Sequence, residues 1–167
     1  MTLYLLFEKL EAGKVRLDSQ MEVSAEAASQ APTKLGLRPG QTLMVEDAIK
    51  GLVTKSANDA AVVIAEYLGG SEEDFAAQMT RKARALGMSK TVYRNASGLP
   101  DPEQITTARD QATEVGEEMR LFALAFRPAE ARDKRLAVEH HGGVGREHCF
   151  APAPTISVIL NTPPKNF

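Results

Sequence analysis

The sequence predicts a predominantly α-helical chain. Apolar residues recur at helical spacing in several segments, and none of these segments shows the strict alternation of a half-buried strand. Residues that favour helix ends also stand where the apolar pattern starts or stops. The predicted helices are residues 2–11, 45–53, 58–68, 72–86 and 108–126.

Each predicted helix has its own signal. The first repeats Leu and Phe at helical spacing and is followed by Gly13, a residue suited to a helix end. The second and third are apolar runs on either side of a polar island, and the third stops at Gly69 and Gly70. Ser71 and Thr107 fit amino-terminal caps for the last two helices.

The other segments read as connections. Residues 15–23 alternate in part and predict an extended connection, and residues 91–94 predict a short strand. Residues 24–40 are rich in Ala, Ser, Pro and Gly, so we expect a loop that closes with a turn at Pro39 and Gly40. Residues 95–98 predict a turn, in which Gly98 is expected to supply a positive φ angle.

Composition excludes several classes of function. A chain of 167 residues is long enough for one domain with a core. Lys and Arg number 20 against 22 Asp and Glu, so nothing favours a nucleic-acid or anionic-membrane surface. Aromatic residues make up 5% and Trp is missing, which argues against base stacking. Cys149 is the single cysteine, so no disulfide can form within the chain.

The polar island at residues 55–59 holds the candidate catalytic residues, Ser56 and Asn58. A Ser and an Asn two positions apart, between two helices, can point their side chains into one cleft. Lys55 beside them is expected to be exposed to solvent. The alternative is that Ser56 and Asn58 only cap the helix that begins near Asp59, and both roles can coexist.

This motif and its neighbours resemble the serine D-alanyl-D-alanine carboxypeptidases, the low-molecular-mass penicillin-binding proteins. The resemblance runs from about residue 1 to residue 112 and rests on blocks that occur in the family's order. The matching blocks are residues 2–13, 37–40 with 45–48, 52–61, 85–88, 95–101 and 106–110. The resemblance implies an α/β fold of the β-lactamase and DD-peptidase type, of which this chain would form mainly the helical subdomain.

The resemblance also implies a chemistry. In the family an upstream serine attacks the carbonyl between two D-alanines, and water resolves the acyl-enzyme. Ser56 matches the serine that relays a proton to the leaving amine, and Asn58 matches the asparagine that binds the substrate's peptide carbonyl. The implied partners are a peptidoglycan pentapeptide ending in D-Ala-D-Ala, and β-lactams, with no metal or organic cofactor. The intact parent would be periplasmic or exported.

Two motifs of the resembled family are missing from the sequence. No serine is followed three residues later by lysine, and there is no Lys-Thr-Gly. No signal peptide is recognisable either. We therefore expect a fragment of a longer enzyme that is inactive by itself. Residues 1–112 would be part of the catalytic domain, and residues 113–167 a diverged or frame-shifted tail.

Two other classes of function stay open. One is a pseudoenzyme or fragment that binds stem peptide without turnover, and the other is a helical interaction module. Only residues 155–160 of the tail read as a strand. The group His140, His141, His148 and Cys149 fits no standard zinc spacing, so we predict no metal site there.

Overall fold

Helices dominate the part of the chain that the structure describes. The computed structural model describes residues 1–126. In chain order the elements are α1 (Thr2–Glu11), β1 (Gln20–Glu22), α2 (Ala25–Ser29), β2 (Thr42–Met44), α3 (Val45–Lys55), α4 (Asn58–Gly69), α5 (Glu72–Ala85) and α6 (Ala108–Ala125). The prediction of a predominantly helical chain is confirmed.

Helix α4 lies at the centre of the core. Its first eight residues, from Asn58 to Ala65, are all buried, because α1, α2, α3 and α5 pack around it. The alanines Ala60 and Ala61 are fully buried, and small side chains allow neighbouring helices to approach closely. A helix surrounded in this way has little freedom to move, so the residues at its amino terminus are held in place by the core.

Helices α1 and α6 pack against each other through aromatic rings. Phe7 of α1 is buried. Its ring centroid lies 5.6 Å from that of Phe122 and 6.0 Å from that of Phe126, both in edge-to-face arrangements. Such geometry is the one that aromatic rings prefer, and it attaches α6 to the core.

Strands β1 and β2 form a two-stranded antiparallel sheet beside α4. Met21 pairs with Leu43, and both are buried while their neighbours in the strands are exposed. An isolated pair of strands is marginal in water, so this sheet depends on its packing against α4. It brings the start of α3, which follows β2 directly, up to the core.

Most helix boundaries agree with the sequence. Helix α1 has the predicted bounds, and the Oγ of Ser71 accepts a hydrogen bond from the amide of Asp74 as the predicted cap of α5. Thr107 caps α6 in the same way through the amide of Asp110. Gly13 and Gly98 both have the positive φ angles that were expected of them, 67° and 81°.

Two connections differ from the prediction. The segment 24–40 is not all loop, because it contains α2. The Oγ of Ser24 accepts a hydrogen bond from the amide of Ala27 at 2.9 Å, and the Ala-rich run after this cap favours a helix despite the nearby Pro and Gly. Residues 91–94 form no strand but a single bridge between Val92 and Ile105.

The predictions for residues 155–160 and for His140, His141, His148 and Cys149 lie outside the described residues.

Candidate active site

Ser56 occupies a strained position at the end of α3. Its φ and ψ angles are 52° and 49°, in the left-handed region. Within residues 1–126 it is the only residue other than glycine with a positive φ. This conformation costs an L-residue about 1–2 kcal/mol, which a glycine would avoid. A serine kept at such a position suggests that its hydroxyl is needed.

The strained residue allows α3 and α4 to follow each other almost without a linker. The amide of Ser56 donates to the carbonyl of Leu52 at 3.0 Å and that of Ala57 to Gly51 at 3.4 Å, which closes α3. Ala57 is buried, whereas Ser56 is exposed. The hydroxyl of Ser56 makes no hydrogen bond to any residue that the structure describes, so it is available to a ligand.

Asn58 begins α4 and is held on one side only. The residue is 7% exposed, and its Nδ2 donates to the carbonyl of Ala31 at 2.9 Å. Its Oδ1 accepts no hydrogen bond within the described part of the chain. No buried side-chain nitrogen or oxygen in residues 1–126 lacks a partner, so this Oδ1 must reach the surface. The carboxamide is therefore oriented by the protein and still open to a ligand.

The capping alternative for these residues is wrong. Helix α4 starts at Asn58, its cap residue is Ala57, and no amide of its first turn bonds to the side chain of Ser56 or Asn58. The amide of Asn58 is instead bonded to the carbonyl of Thr33 at 2.8 Å, from a loop earlier in the chain. Because the loop satisfies the first amide of α4, neither Ser56 nor Asn58 is needed as a cap. Lys55 is exposed, as expected.

Asp59 is a residue that sequence reasoning missed. It is fully buried. Its Oδ1 accepts from the amides of Leu35 and Ala60, both at 2.9 Å, and its Oδ2 from those of Gly36 at 2.9 Å and Leu37 at 3.1 Å. An acidic residue in the first turn of an otherwise apolar helix was the available signal. Through Asp59 and Asn58 together, residues 31–37 are bonded to the beginning of α4 at several points.

The family-like blocks outside this junction hold the scaffold together. Oδ2 of Asp110 accepts from the amide of Lys90 at 2.9 Å and from the hydroxyl of Thr91 at 2.7 Å. These hydrogen bonds, that of Thr91 above all, lower the pKa of the Asp110 carboxyl. In the turn at residues 95–98, the carbonyl of Ala96 accepts a hydrogen bond from the Thr2 hydroxyl at 2.7 Å. The structure shows no hydrogen bond from these blocks to Ser56 or Asn58.

A concavity lies elsewhere on the molecule. It has a volume of about 810 Å³ and is lined in part by Tyr93, Leu99, Ile105 and Gln111. The hydroxyl of Tyr93 donates to Glu114, and burial together with this contact raises the tyrosine's pKa. Gln111 is also bonded to Glu114, at 3.0 Å. Because its polar groups are already paired, we place the candidate active site at Ser56 and Asn58 instead.

Metal ligands and membrane spans were sought in the same part of the chain. Within residues 1–126 no three or more His, Cys, Asp or Glu side chains come together in a way that could hold a metal ion. None of the helices described there is both long and apolar enough to cross a membrane.

The fold defines a class of protein. The structure superposes on the D-alanyl-D-alanine carboxypeptidase DacD from Francisella tularensis with a TM-score of 0.72 and 34% identity, over 75% of this chain and 30% of that one. It also resembles penicillin-binding protein D2 from Listeria monocytogenes in the ampicillin-bound form, with a TM-score of 0.56 and 26% identity, over 71% and 48% of the two chains. The predicted DD-peptidase-like fold class, represented here mainly by its helical part, is confirmed.

Sequence comparison then gives the family. The model of the D-alanyl-D-alanine carboxypeptidases matches residues 1–126, and the chain belongs to this family of hydrolases. The D-alanyl-D-alanine carboxypeptidase DacF of Bacillus subtilis is 37% identical over 112 residues, which is 67% of this chain and 29% of DacF. The chain thus spans less than a third of that relative's length. The division of the chain between residues 112 and 113 stays a prediction.

Proposed function

We propose that Ser56 and Asn58 belong to the active site of a serine-type D-alanyl-D-alanine carboxypeptidase that matures peptidoglycan. The observation that carries this proposal is the left-handed Ser56, whose free hydroxyl stands two residues from an oriented and accessible carboxamide. Backbone strain of this kind is concentrated at functional sites. The family match over residues 1–126 supports the same assignment.

Several groups take part in the proposed reaction. A serine gives its hydroxyl proton to a base and attacks the carbonyl carbon between two D-alanines. The C–N bond breaks, the amine of the last D-alanine takes up that proton, and water then hydrolyses the ester on the serine. The Ser56 hydroxyl can pass that proton on, because a hydroxyl both donates and accepts. The carboxamide of Asn58 can donate its remaining Nδ2 hydrogen to the substrate's peptide carbonyl. The parent enzyme would act outside the cytoplasmic membrane, where its substrate is found.

The 167-residue chain is proposed not to form an acyl-enzyme by itself. A serine hydroxyl is a poor nucleophile without a neighbouring base, and no serine of the sequence has a lysine three residues further on. Intact-mass spectrometry after incubation with excess benzylpenicillin should therefore show no adduct. A stoichiometric adduct would contradict this part of the proposal, and peptide mapping would then identify the reacting serine.

Peptide binding without turnover is the second candidate function. The specific observation that favours it is that Asn58 Oδ1 and the Ser56 hydroxyl are both free of partners within residues 1–126. NMR titration with a short peptide that ends in D-Ala-D-Ala should shift the signals of these two residues. A peptide that ends in L-Ala-L-Ala is the control for the ligand.

Variants separate binding at the site from unspecific contact. Ser56→Ala and Asn58→Ala should weaken binding of the D-Ala-D-Ala peptide, whereas Ser89→Ala, which also removes an exposed hydroxyl, should not. If the wild-type chain shows no shift at Ser56 or Asn58 at millimolar peptide, this chain does not bind stem peptide.

A further inference from the structure

The hydrogen bonds of Asp59 extend well beyond its own helix. An aspartate that caps a helix accepts amides of that helix. Asp59 accepts only one such amide, that of Ala60, and three from the loop residues 35–37. Burying a carboxylate is costly unless its charge is fully compensated by hydrogen bonds. Three of the four hydrogen bonds that the buried Asp59 carboxylate accepts come from this loop. This distribution indicates that Asp59 serves to hold the loop.

The same loop is what orients Asn58. The carbonyl of Ala31 accepts from Nδ2 of Asn58 at 2.9 Å, and the carbonyl of Thr33 accepts from its backbone amide at 2.8 Å. Residues 31–37 are thus bonded to Asn58 by one end and to Asp59 by the other. Helix and strand hydrogen bonds give no support to this segment, because no element lies between α2 and β2.

The loop also packs against α3. A carbon atom added at Gly51 would lie 2.8 Å from Cδ1 of Leu35, so the Leu35 side chain already rests on the backbone of the helix that ends at Ser56. A shift of residues 35–37 away from Asp59 would therefore disturb this contact with α3 as well.

We propose that Asp59 is a positioning residue of the candidate active site. It fixes residues 31–37 so that the Ala31 carbonyl holds one Nδ2 hydrogen of Asn58, which leaves the second Nδ2 hydrogen and Oδ1 for the ligand. This inference rests on the proposed function for its meaning in catalysis, but its structural part can be tested without a ligand.

The test compares Asp59→Asn with Asp110→Asn in the full chain. Both substitutions replace a buried aspartate in the first turn of a helix by an amide of the same shape. The amide nitrogen cannot accept the backbone hydrogen bonds that a carboxylate oxygen accepts. Asp110→Asn is therefore the matched control for a general loss of stability.

Hydrogen exchange and NMR give the readouts. In Asp59→Asn the amides of residues 35–37 should exchange at least tenfold faster than in the wild type, and the side-chain amide signals of Asn58 should move. The affinity for a peptide ending in D-Ala-D-Ala should fall at least tenfold. In Asp110→Asn the exchange rates of residues 35–37 and the peptide affinity should stay within twofold of the wild type, and the Asn58 signals should not shift.

Two results would overturn the proposal. One is unchanged exchange at residues 35–37 in Asp59→Asn, and the other is an equal change of the Asn58 signals in both variants. If Asp59→Asn does not fold, the wild type decides: slow exchange at residues 35–37 supports the proposal, and exchange as fast as in a free peptide refutes it. If the wild type binds no peptide, the second candidate function, peptide binding by this chain, fails, while the Asn58 signals still test the positioning.

Discussion

The α3–α4 junction and the segment that leads into α6 use a similar device. At each place a buried aspartate in the first turn of a helix binds backbone from an earlier part of the chain. Asp59 binds the amides of residues 35–37, and Asp110 binds the amide of Lys90 and the hydroxyl of Thr91. A buried aspartate of this kind therefore does not by itself tell a candidate active site from a purely structural region.

The difference lies in the neighbours of each aspartate. Around Asp110 the polar groups bond to one another, as the hydroxyls of Thr91 and Thr106 do at 2.9 Å. Beside Asp59, the Ser56 hydroxyl and the Asn58 Oδ1 have no partner within residues 1–126. A candidate site is recognised here by free polar groups on a rigid support. Substitutions in the two regions can test this comparison.

The largest effect is expected from Asp59→Ala. Removing the carboxylate leaves several amides without their acceptor, and each buried donor left unpaired costs about 1–3 kcal/mol. We expect the free energy of unfolding to fall by roughly 3 kcal/mol, since part of the loop can reach water. Urea unfolding followed by circular dichroism measures this. Asp110→Ala, which frees fewer backbone amides, should cost less, and a larger loss there would contradict the comparison.

Glycine substitutions should give opposite signs in the two regions. A Cβ at Gly51 would meet Leu35 at 2.8 Å, whereas one at Gly116 in α6 would meet nothing within 4 Å. Gly51→Ala gains about 1 kcal/mol of helix propensity but overpacks Leu35 against α3, which costs about 1–3 kcal/mol, so we expect a net loss of about 1 kcal/mol in the stability of the chain. Gly116→Ala should stabilise it by about 0.5–1 kcal/mol through helix propensity. Thermal melting of both variants checks the prediction, and a stabilised Gly51→Ala would show that the loop does not press on α3.

Ser56→Gly should relieve strain at the junction. A glycine adopts the left-handed conformation without cost, so we expect a gain of up to about 1 kcal/mol, reduced by the greater freedom of glycine in the unfolded chain. Ser56→Ala keeps the β carbon and should bring no such gain. Differential scanning calorimetry on both variants makes the comparison. If Ser56→Gly is less stable than Ser56→Ala, the strain assigned to Ser56 is not real.

The smallest effect concerns acid stability near α6. The pKa of Asp110 is lowered in the folded chain. Its contribution to stability is therefore complete above the unfolded pKa of about 3.9, and it is lost as the pH falls through the lower folded value. We expect the Tm of the wild type to decrease more steeply below about pH 4 than that of Asp110→Asn. Parallel curves from pH 6 to pH 3 would argue against this role.

The sequence was sufficient for most of the helices, and the assignment of Ser56 and Asn58 to a site stays a prediction. Capping residues such as Ser71 and Thr107 and terminal glycines such as Gly13 act locally, so their effect can be read without the fold. Helix α2 was missed because a short capped run was surrounded by Pro and Gly. The sheet was missed because strands of three residues carry little periodicity.

The geometry of the site could not be predicted from the motif. Ser56 and Asn58 were expected either to act in a cleft or to cap a helix, and local pattern favours caps at such positions. The cap is supplied by the carbonyl of Thr33 instead, which is 25 positions earlier in the chain. The role of Asp59 was hidden for the same reason, because its partners are 22 to 24 residues away. Contacts over such separations depend on packing, which no local window contains.

The distance in sequence between Asp59 and its loop also has a consequence for folding kinetics. Residues 31–37 gain their order from a helix that must first be buried, and long loops close only after local structure has formed. We therefore expect the Asn58 carboxamide to reach its final orientation late in folding and to lose it early in unfolding. Residues 31–37 would then open before the helical core does.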